Sequence, residues 1–172
     1  IHPDNNKSAE ENAEMYFELL PFAKECGVKI ATENMWNWKE GDAYSSFAAC
    51  STSESFCRHL EVVNDDFFVA CLDLGHAEMQ GSGSGAVNMI HALGDKLQAL
   101  HIHDNDRWHD SHQIPFSMNI DFKEIAKALR EISYQGYLTL ESYSYVTSPD
   151  GIEDKVKKLC ERVKQLDKMI RS

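Results

Sequence analysis

Apolar residues recur along the chain at two spacings, and the alternation between them predicts strands that alternate with helices. Apolar positions three or four residues apart predict helices over about 9–26, 53–64, 84–93, 121–133 and 151–170. Shorter runs rich in Val, Leu, Ile and Phe predict strands over 28–33, 67–73, 97–103 and 137–142. Because strand and helix alternate throughout, we expect a parallel sheet with right-handed connections, covered on both faces.

The ends of two predicted helices carry capping signals. Ser8 and Glu11 form a capping-box pattern, and Gly27 suits the position just after a helix C-terminus. Asp121 and Glu124 repeat the N-terminal pattern at the fourth helix. The first and fourth helices are therefore predicted from local signals as well as from periodicity.

Each predicted strand ends in a residue type that binds metals. Glu33, Asp73, His101 and Glu141 stand at the carboxyl ends of the four strands. In a parallel sheet these ends open onto one edge, so the four side chains are expected to point at one place. This is the arrangement of a metal site at the mouth of a β/α barrel, where such barrels hold their catalytic groups. The alternative is that the four side chains are polar groups facing the loops and bind no ion.

Residues two positions apart share a face of a strand, so these end residues also predict which side chains line the barrel interior. The residues that share a face with Asp73, His101 and Glu141 are Val69, Cys71, Ala99, His103, Tyr137 and Thr139. Two Glu, one Asp and one His are a mostly oxygen ligand set, which suits Mn²⁺, Mg²⁺ or Co²⁺ and also allows Zn²⁺.

Further polar residues lie in the loops that follow these strands. His76 comes three residues after Asp73, and a turn at Gly75 can bring both side chains to one site. Arg107 follows His101 by six residues and is placed either to bind a substrate oxygen or to remain solvated.

Asp110 and His112 form an Asp-x-His pair in the same loop as Arg107. This pair could bind a second metal ion, or its two side chains could simply be hydrogen-bonded to each other. The pattern alone leaves both alternatives open.

The length of the chain limits the architecture that it can form. A closed eight-stranded β/α barrel usually needs about 250 residues, whereas this chain has 172 residues and begins with Ile1. We therefore expect a fragment of a barrel, folded as a single domain over 1–172.

Charge and cysteine content narrow the class of protein. The formal net charge of -11 disfavours nucleic acid as a partner, because nucleic-acid binding relies on Lys and Arg. No apolar run reaches the roughly 18 residues of a membrane span, and no signal peptide is evident. The five cysteines are odd in number and include no Cys-x-x-Cys pair, which predicts reduced thiols and a cytoplasmic protein.

Several sequence pieces together resemble the xylose isomerase-like TIM-barrel superfamily, and within it the sugar phosphate isomerase/epimerase group, which is related to endonuclease IV. The pieces are A-T-E-N-M-W around Glu33, C-L-D-L-G-H around Asp73, A-L-G-D-K-L-Q-A-L-H-I-H-D-N-D around His101, D-S-H at 110–112 and G-Y-L-T-L-E-S around Glu141. The resemblance implies an α/β fold, namely the C-terminal half of a (β/α)8 barrel. That half would run from the end of strand four, at 1–3, through strand eight and the final helix.

The resemblance also implies roles for individual residues. Positions matching Glu33, Asp73, His101 and Glu141 hold one divalent metal ion in the epimerases of this group. Positions matching His76 and Arg107 contact substrate oxygens in those enzymes. In endonuclease IV, a trinuclear zinc site also uses positions that match His2, His76, Asp110 and His112.

The chain departs from its relatives after His112. Many relatives carry a P-P-G-x-G-x-I/V-D-F pattern there, whereas this chain has Q-I-P-F-S-M-N-I-D-F at 113–122. Phe116 and Met118 therefore replace the two glycines.

Three functions are compatible with the sequence. The first is a metal-dependent isomerase or epimerase of a small sugar, sugar phosphate or hydroxy-ketone, in which Glu33 and Glu141 transfer a proton through an enediolate. The second is a zinc phosphodiesterase of the endonuclease IV kind, which accounts for His2, Asp110 and His112 but not for the acidic charge. The third is an inactive half barrel that associates with itself or with its missing half, since open sheet edges favour association.

Overall fold

The computed structural model of the chain describes residues 1–81, 83–147 and 150–172. Within them the strands and α-helices, in chain order, are α1 (Ala9–Cys26), β1 (Ile30–Glu33), α2 (Ser53–Val63), β2 (Phe68–Asp73), α3 (Leu74–Glu78), α4 (Ala86–Leu93), β3 (Leu97–Ile102), α5 (Phe122–Glu131), β4 (Thr139–Leu140), α6 (Tyr143–Val146) and α7 (Ile152–Arg171). A 3₁₀ turn at Gly94–Lys96 leads into β3. The predicted order of strands and long helices is confirmed, and the short helices α3 and α6 were not predicted.

The strands form one parallel sheet in the order β1-β2-β3-β4, which is also their order along the chain. The register pairs Glu33 with Cys71, Asp73 with His101, and His101 with Thr139. Because the strands are parallel and follow one another, their carboxyl ends lie along one edge. The sheet therefore has the connectivity expected for part of a β/α barrel wall.

The main hydrophobic core lies between the sheet and the helices. Alternate residues of the two central strands, such as Leu72 and Leu100, are fully buried against helix residues such as Phe56, Ile90 and Leu129. Burial of each such side chain stabilises the fold by about 1.5–3 kcal/mol. Each of the long helices contacts the next along the sheet, so they form a continuous layer.

The opposite face of the sheet is covered unevenly, which differs from the prediction of two covered faces. Val69 and Cys71 on β2 are buried, whereas Ala99 is only half-buried and Thr139 on β4 is exposed. The strand predicted over 137–142 is also shorter than expected, and the Tyr137 side chain is 87% exposed. The physical reason is that β4 is an edge strand, which pairs with β3 alone in the described part of the chain.

The predicted caps are present. The Ser8 hydroxyl accepts a hydrogen bond from the Glu11 amide, and the Glu11 carboxylate accepts one from the Ser8 amide at 2.8 Å. Gly27 closes α1 with a φ of 65°, and Asp121 caps α5. Among the helices that the structure describes, none is long and apolar enough to cross a membrane.

Candidate metal centre

The four strand-end residues converge at one edge of the sheet. Glu33, Asp73, His101 and Glu141 each offer a ligand atom, and these atoms lie within 4.8 Å of one another. His101 Nδ1 is central, at 3.1 Å from Glu33 Oε1 and 3.0 Å from Glu141 Oε2. The in-register strands explain this convergence, because Asp73 and His101 are direct neighbours across β2 and β3.

Asp73 has two structural roles, since it ends β2 and caps α3. Its Oδ1 accepts a hydrogen bond from the His76 amide at 2.7 Å. A helical turn, rather than the predicted turn at Gly75, therefore directs the His76 imidazole back toward the site. His76 Nδ1 lies 3.9 Å from Asp73 Oδ1 and 3.8 Å from Glu33 Oε1.

Asn34 supports this arrangement and was not anticipated from the sequence. Its side chain is fully buried and bonds both backbone groups of Asp73, accepting from the amide at 2.7 Å and donating to the carbonyl at 2.9 Å. The Asn34 carbonyl lies 3.0 Å from His76 Nδ1. The only available signal was its position directly after Glu33, which does not by itself indicate a brace between strand ends.

A second cluster lies beside the first and consists of His76, His103, Asp110 and His112, whose ligand atoms also lie within 4.8 Å of one another. Asp110 Oδ2 is 3.4 Å from His76 Nε2 and 3.0 Å from His112 Nε2. His112 Nδ1 is 2.7 Å from the Glu141 carbonyl, which ties this loop to the end of β4. The expected Asp110–His112 pair is thus joined by two further imidazoles.

The second cluster differs in one member from the set expected from the sequence. The expected set contained His2, and the observed cluster contains His103 in its place. His2 instead contacts the first cluster, with Nε2 3.2 Å from Glu33 Oε2, and its side chain is 67% exposed. The reason is that the Ile1 amino group hydrogen-bonds to the Ala31 carbonyl at 2.8 Å, which keeps this segment along β1. His103 belongs to the second cluster, and its placement on the same strand face as His101 was the signal for it.

Arg107 lies in the loop after β3, with a left-handed φ of 71°. Its guanidinium is 3.2 Å from the Glu78 carboxylate, and its side chain is 46% exposed. Glu78 is the last residue of α3, the helix that also carries His76, so this ion pair holds Arg107 at the edge of the site on the His76 side.

Comparison with known proteins identifies the family. The sequence profile of the xylose isomerase-like TIM barrel family matches residues 2–164. The chain belongs to this family. The resemblance to this family that was noted in the sequence is therefore confirmed, and so is the predicted partial barrel of α/β type.

Individual relatives show how much of the family fold the chain represents. It is 26% identical over 155 residues to an uncharacterized protein of Methanocaldococcus jannaschii, covering 88% of this chain and 50% of that protein. It is 26% identical over 138 residues to the fructoselysine 3-epimerase of Shigella flexneri, covering 80% of this chain and 47% of the enzyme. A crystal structure of a D-tagatose 3-epimerase-like protein superposes with a TM-score of 0.73 at 24% identity, covering 95% of this chain and 55% of that one. The chain thus spans about half the length of the relatives it matches.

In this member of the xylose isomerase-like family, opposite charges outweigh burial at Asp73 and His76. Burial alone would raise the pKa of Asp73, but the His76 charge and the hydrogen bond from His103 hold that pKa well below its ordinary value. Burial acts to lower the pKa of His76, yet the charge of Asp73 and the contact with Asp110 raise it to about 9. The two groups therefore stabilise each other's charged forms at neutral pH.

The pKa values of His101 and Glu141, which contact each other in the first cluster, are also shifted by burial and by their neighbours. Contacts with Cys71 and Glu33 raise the pKa of His101 to about 11, against the opposing effect of burial. Burial raises the pKa of Glu141, the His101 charge opposes this, and the negative charges of Asp73 and Glu33 add to it. Carboxyl groups whose pKa is displaced by burial and charged neighbours are candidates for proton transfer.

Buried polar atoms without a hydrogen-bond partner indicate where an ion fits. Over 1–81, 83–147 and 150–172, these atoms include Asp73 Oδ2, and also His101 Nδ1 and Glu141 Oε2, which face each other at 3.0 Å as an ion pair but not in hydrogen-bond geometry. Buried polar atoms normally have partners, because leaving one unpaired costs about 1–3 kcal/mol. Convergent carboxylate and imidazole groups are also ligands that divalent ions prefer. The residues of the first cluster therefore fit a divalent ion with mostly oxygen ligands.

Proposed function

We propose that this chain forms the metal-binding wall of a divalent-metal-dependent isomerase or epimerase that acts on a small sugar, sugar phosphate or related hydroxy-ketone. The observation that carries the proposal is the convergence of Glu33, Asp73, His101 and Glu141 at the strand ends. Relatives named as epimerases of fructoselysine and of D-psicose support a ketose-type substrate.

The first cluster would hold one divalent ion, Mn²⁺, Mg²⁺, Co²⁺ or Zn²⁺, with Glu33, Asp73, His101 and Glu141 as its ligands. Such an ion, when bound, polarises a substrate carbonyl and thereby acidifies the adjacent C–H group. The protein side chains would position the substrate and move the proton.

Glu33 and Glu141 are the proposed proton-transfer groups. They stand at the ends of β1 and β4, the two outer strands of the sheet, and so approach a substrate from different sides. One carboxylate would remove the proton next to the carbonyl, leaving an enediolate whose negative charge rests on oxygen. The other carboxyl would return a proton to carbon, on the opposite face for epimerisation, so no oxidant or reductant is needed.

His76 and Arg107 are the proposed substrate-binding residues. His76 Nδ1 bonds to the Asn34 carbonyl, so its Nε2–H group, 3.4 Å from Asp110 Oδ2, would stabilise negative charge on a substrate oxygen. Arg107 lies at the edge of the site, where its guanidinium forms an ion pair with Glu78. The same guanidinium would also donate a hydrogen bond to a substrate oxygen.

Metal content and affinity test the proposal. We expect elemental analysis of the purified chain, after incubation with Mn²⁺, to find one ion per chain. Asp73→Ala and Glu33→Ala should abolish this binding, whereas the control Glu131→Gln, an exposed carboxylate paired with His91, should retain it. A chain that binds no divalent ion under any supplementation would contradict the proposed site.

A zinc phosphodiesterase is the second candidate, and the second cluster specifically favours it. His76, His103, Asp110 and His112 supply three imidazoles and a carboxylate, a ligand set that suits Zn²⁺. The net charge of -11 opposes binding to a nucleic-acid backbone. Two or three zinc ions per chain would favour the phosphodiesterase, and one divalent ion would favour the epimerase.

A further inference from the structure

His103 is the buried member of the second cluster that also contacts the first, and the proposed reaction assigns it no role. Its side chain is 0% exposed. His103 Nε2 lies 3.1 Å from Asp73 Oδ1 and 3.5 Å from Asp110 Oδ1, so the imidazole joins a carboxylate of each cluster. The ring also stacks on that of His112, with centroids 4.0 Å apart.

The backbone of α3 leaves space for this imidazole. A Cβ atom at Gly75 would lie 2.0 Å from His103 Cε1 and 2.3 Å from His103 Nε2, closer than real atoms approach. Glycine inside a helix costs about 1 kcal/mol relative to alanine. The close approach explains why a glycine stands in this helix, and it shows that the ring occupies a fitted position.

The two oxygens of Asp73 are treated differently by their surroundings. Oδ1 accepts hydrogen bonds from the His76 amide at 2.7 Å and from His103 Nε2 at 3.1 Å. Oδ2 is buried and has no hydrogen-bond partner in the described part of the chain. A carboxylate whose one oxygen is held by two donors presents its other oxygen in a fixed direction, as outer-shell partners of metal ligands do.

We propose that His103 is a positioning residue that orients the Asp73 carboxylate, so that Oδ2 alone is free to bind the divalent ion. This inference rests on the metal site proposed at Asp73. Since Nε2 makes the bond, the imidazole must carry a proton on Nε2. Loss of an outer-shell partner typically weakens metal binding about 10- to 100-fold.

Paired amide substitutions test the inference. The amide nitrogen of glutamine reaches about as far from the backbone as His Nε2, whereas that of asparagine reaches only as far as Nδ1. Both amides lose the stacking on His112, but only His103→Gln can still donate to Asp73. In calorimetric titrations with Mn²⁺ we expect His103→Asn to bind about 10- to 100-fold more weakly than the wild-type chain, and His103→Gln to recover most of that loss.

Control measurements separate positioning from general destabilisation. His59→Asn removes another buried histidine, on α2, and should leave Mn²⁺ affinity unchanged. Circular dichroism of each metal-free chain checks folding. Should both His103 variants unfold, ¹⁵N NMR of the wild-type histidines decides, because a neutral His103 protonated on Nδ1 would overturn the inference.

The outcomes distinguish this inference from the proposed function. Equal Mn²⁺ affinity for wild-type and His103→Asn would overturn the positioning role and leave the metal site intact. Equal loss in His103→Asn and His103→Gln would also overturn it, since packing alone would then account for the effect. Absence of Mn²⁺ binding by the wild-type chain would overturn both.

Discussion

Glu141 and Glu33 are the same residue type in different surroundings, and this difference bears on their proposed roles. The Glu33 side chain is 3% exposed, whereas that of Glu141, which directly follows β4, is 36% exposed. Burial and the neighbouring carboxylates, partly opposed by His101, raise the pKa of Glu141. Glu141 is therefore the better placed of the two to exchange a proton with a substrate or with water.

The substitution Glu141→Gln tests this assignment, because it keeps the shape of the side chain and removes its negative charge. We expect Mn²⁺ affinity to fall by more than about 10-fold, since the loss of a direct ligand should exceed that of an outer-shell partner. Isothermal titration calorimetry measures the change, with Glu131→Gln as the exposed control. Unaltered Mn²⁺ affinity would remove Glu141 from the metal site.

Phe116 has a backbone conformation that is unusual for a residue other than glycine. Its φ is 66°, in the region that favours glycine, and the family resemblance noted in the sequence implies a glycine at this position. The ring packs on Phe122, with centroids 4.8 Å apart, and lies 6.0 Å from the Arg162 guanidinium. The loop therefore keeps a backbone conformation suited to glycine, and the aromatic contacts offset its strain.

This balance predicts an unusual order of stability at position 116. Left-handed backbone costs a non-glycine residue about 1–2 kcal/mol, and an aromatic pair contributes about 0.5–1.5 kcal/mol beyond burial. Phe116→Ala loses the contacts and keeps the strain, whereas Phe116→Gly loses both. We expect urea denaturation to show the Gly variant to be more stable than the Ala variant by about 1 kcal/mol. The reverse order would show that the strain is not significant.

At the scale of elements, the segment after β3 is organised around one buried carboxylate. Asp104 Oδ2 accepts hydrogen bonds from the Ser117 and Met118 amides at 2.9 and 2.8 Å, and Oδ1 accepts one from the Ile120 amide at 3.1 Å. The backbone of Asp104 pairs with Gln113 in an antiparallel bridge. These bonds close the loop that carries the second cluster.

Removal of this carboxylate should loosen the loop without removing any proposed metal ligand. We expect Asp104→Ala to lower the free energy of unfolding by about 1–3 kcal/mol, because it leaves the buried Ile120 amide without its acceptor. Hydrogen exchange at the Ser117, Met118 and Ile120 amides should accelerate. Asp104→Asn keeps one acceptor oxygen and should give an intermediate effect. Unchanged protection at all three amides in Asp104→Ala would refute this account.

At the scale of the molecule, apolar surface remains exposed beside β1. Phe22 on α1 is 71% exposed and Val28 is 60% exposed, and they lie near the outer edge of the sheet. Exposed apolar patches next to an open sheet edge favour association. We therefore propose that this face binds a second copy of the chain.

Native mass spectrometry tests the association. We expect the purified chain to form dimers, and Phe22→Asp to shift the population toward monomer by placing a charge in the contact. Phe47→Asp is the matched control, because Phe47 is 70% exposed in the loop between β1 and α2. A monomer at all concentrations would overturn this proposal.

The sequence by itself determined the alternation of strands and helices, the capped helix ends and the family. These features depend on residue periodicity and on short-range signals, which the chain carries wherever it folds. It also indicated which residue types stand at the strand ends. In parallel neighbouring strands such residues come together, as Asp73 and His101 do in the observed register.

Only the tertiary structure decided how the surrounding groups pair. Asp73 became a helix cap, Asn34 joined the ends of two strands, and His103 rather than His2 entered the second cluster. The contacts of Asn34 and His103 with Asp73 join residues 39 and 30 positions apart, so they depend on the register between strands and on how closely α3 approaches β3. The sequence pattern does not contain those distances, because they are set by packing.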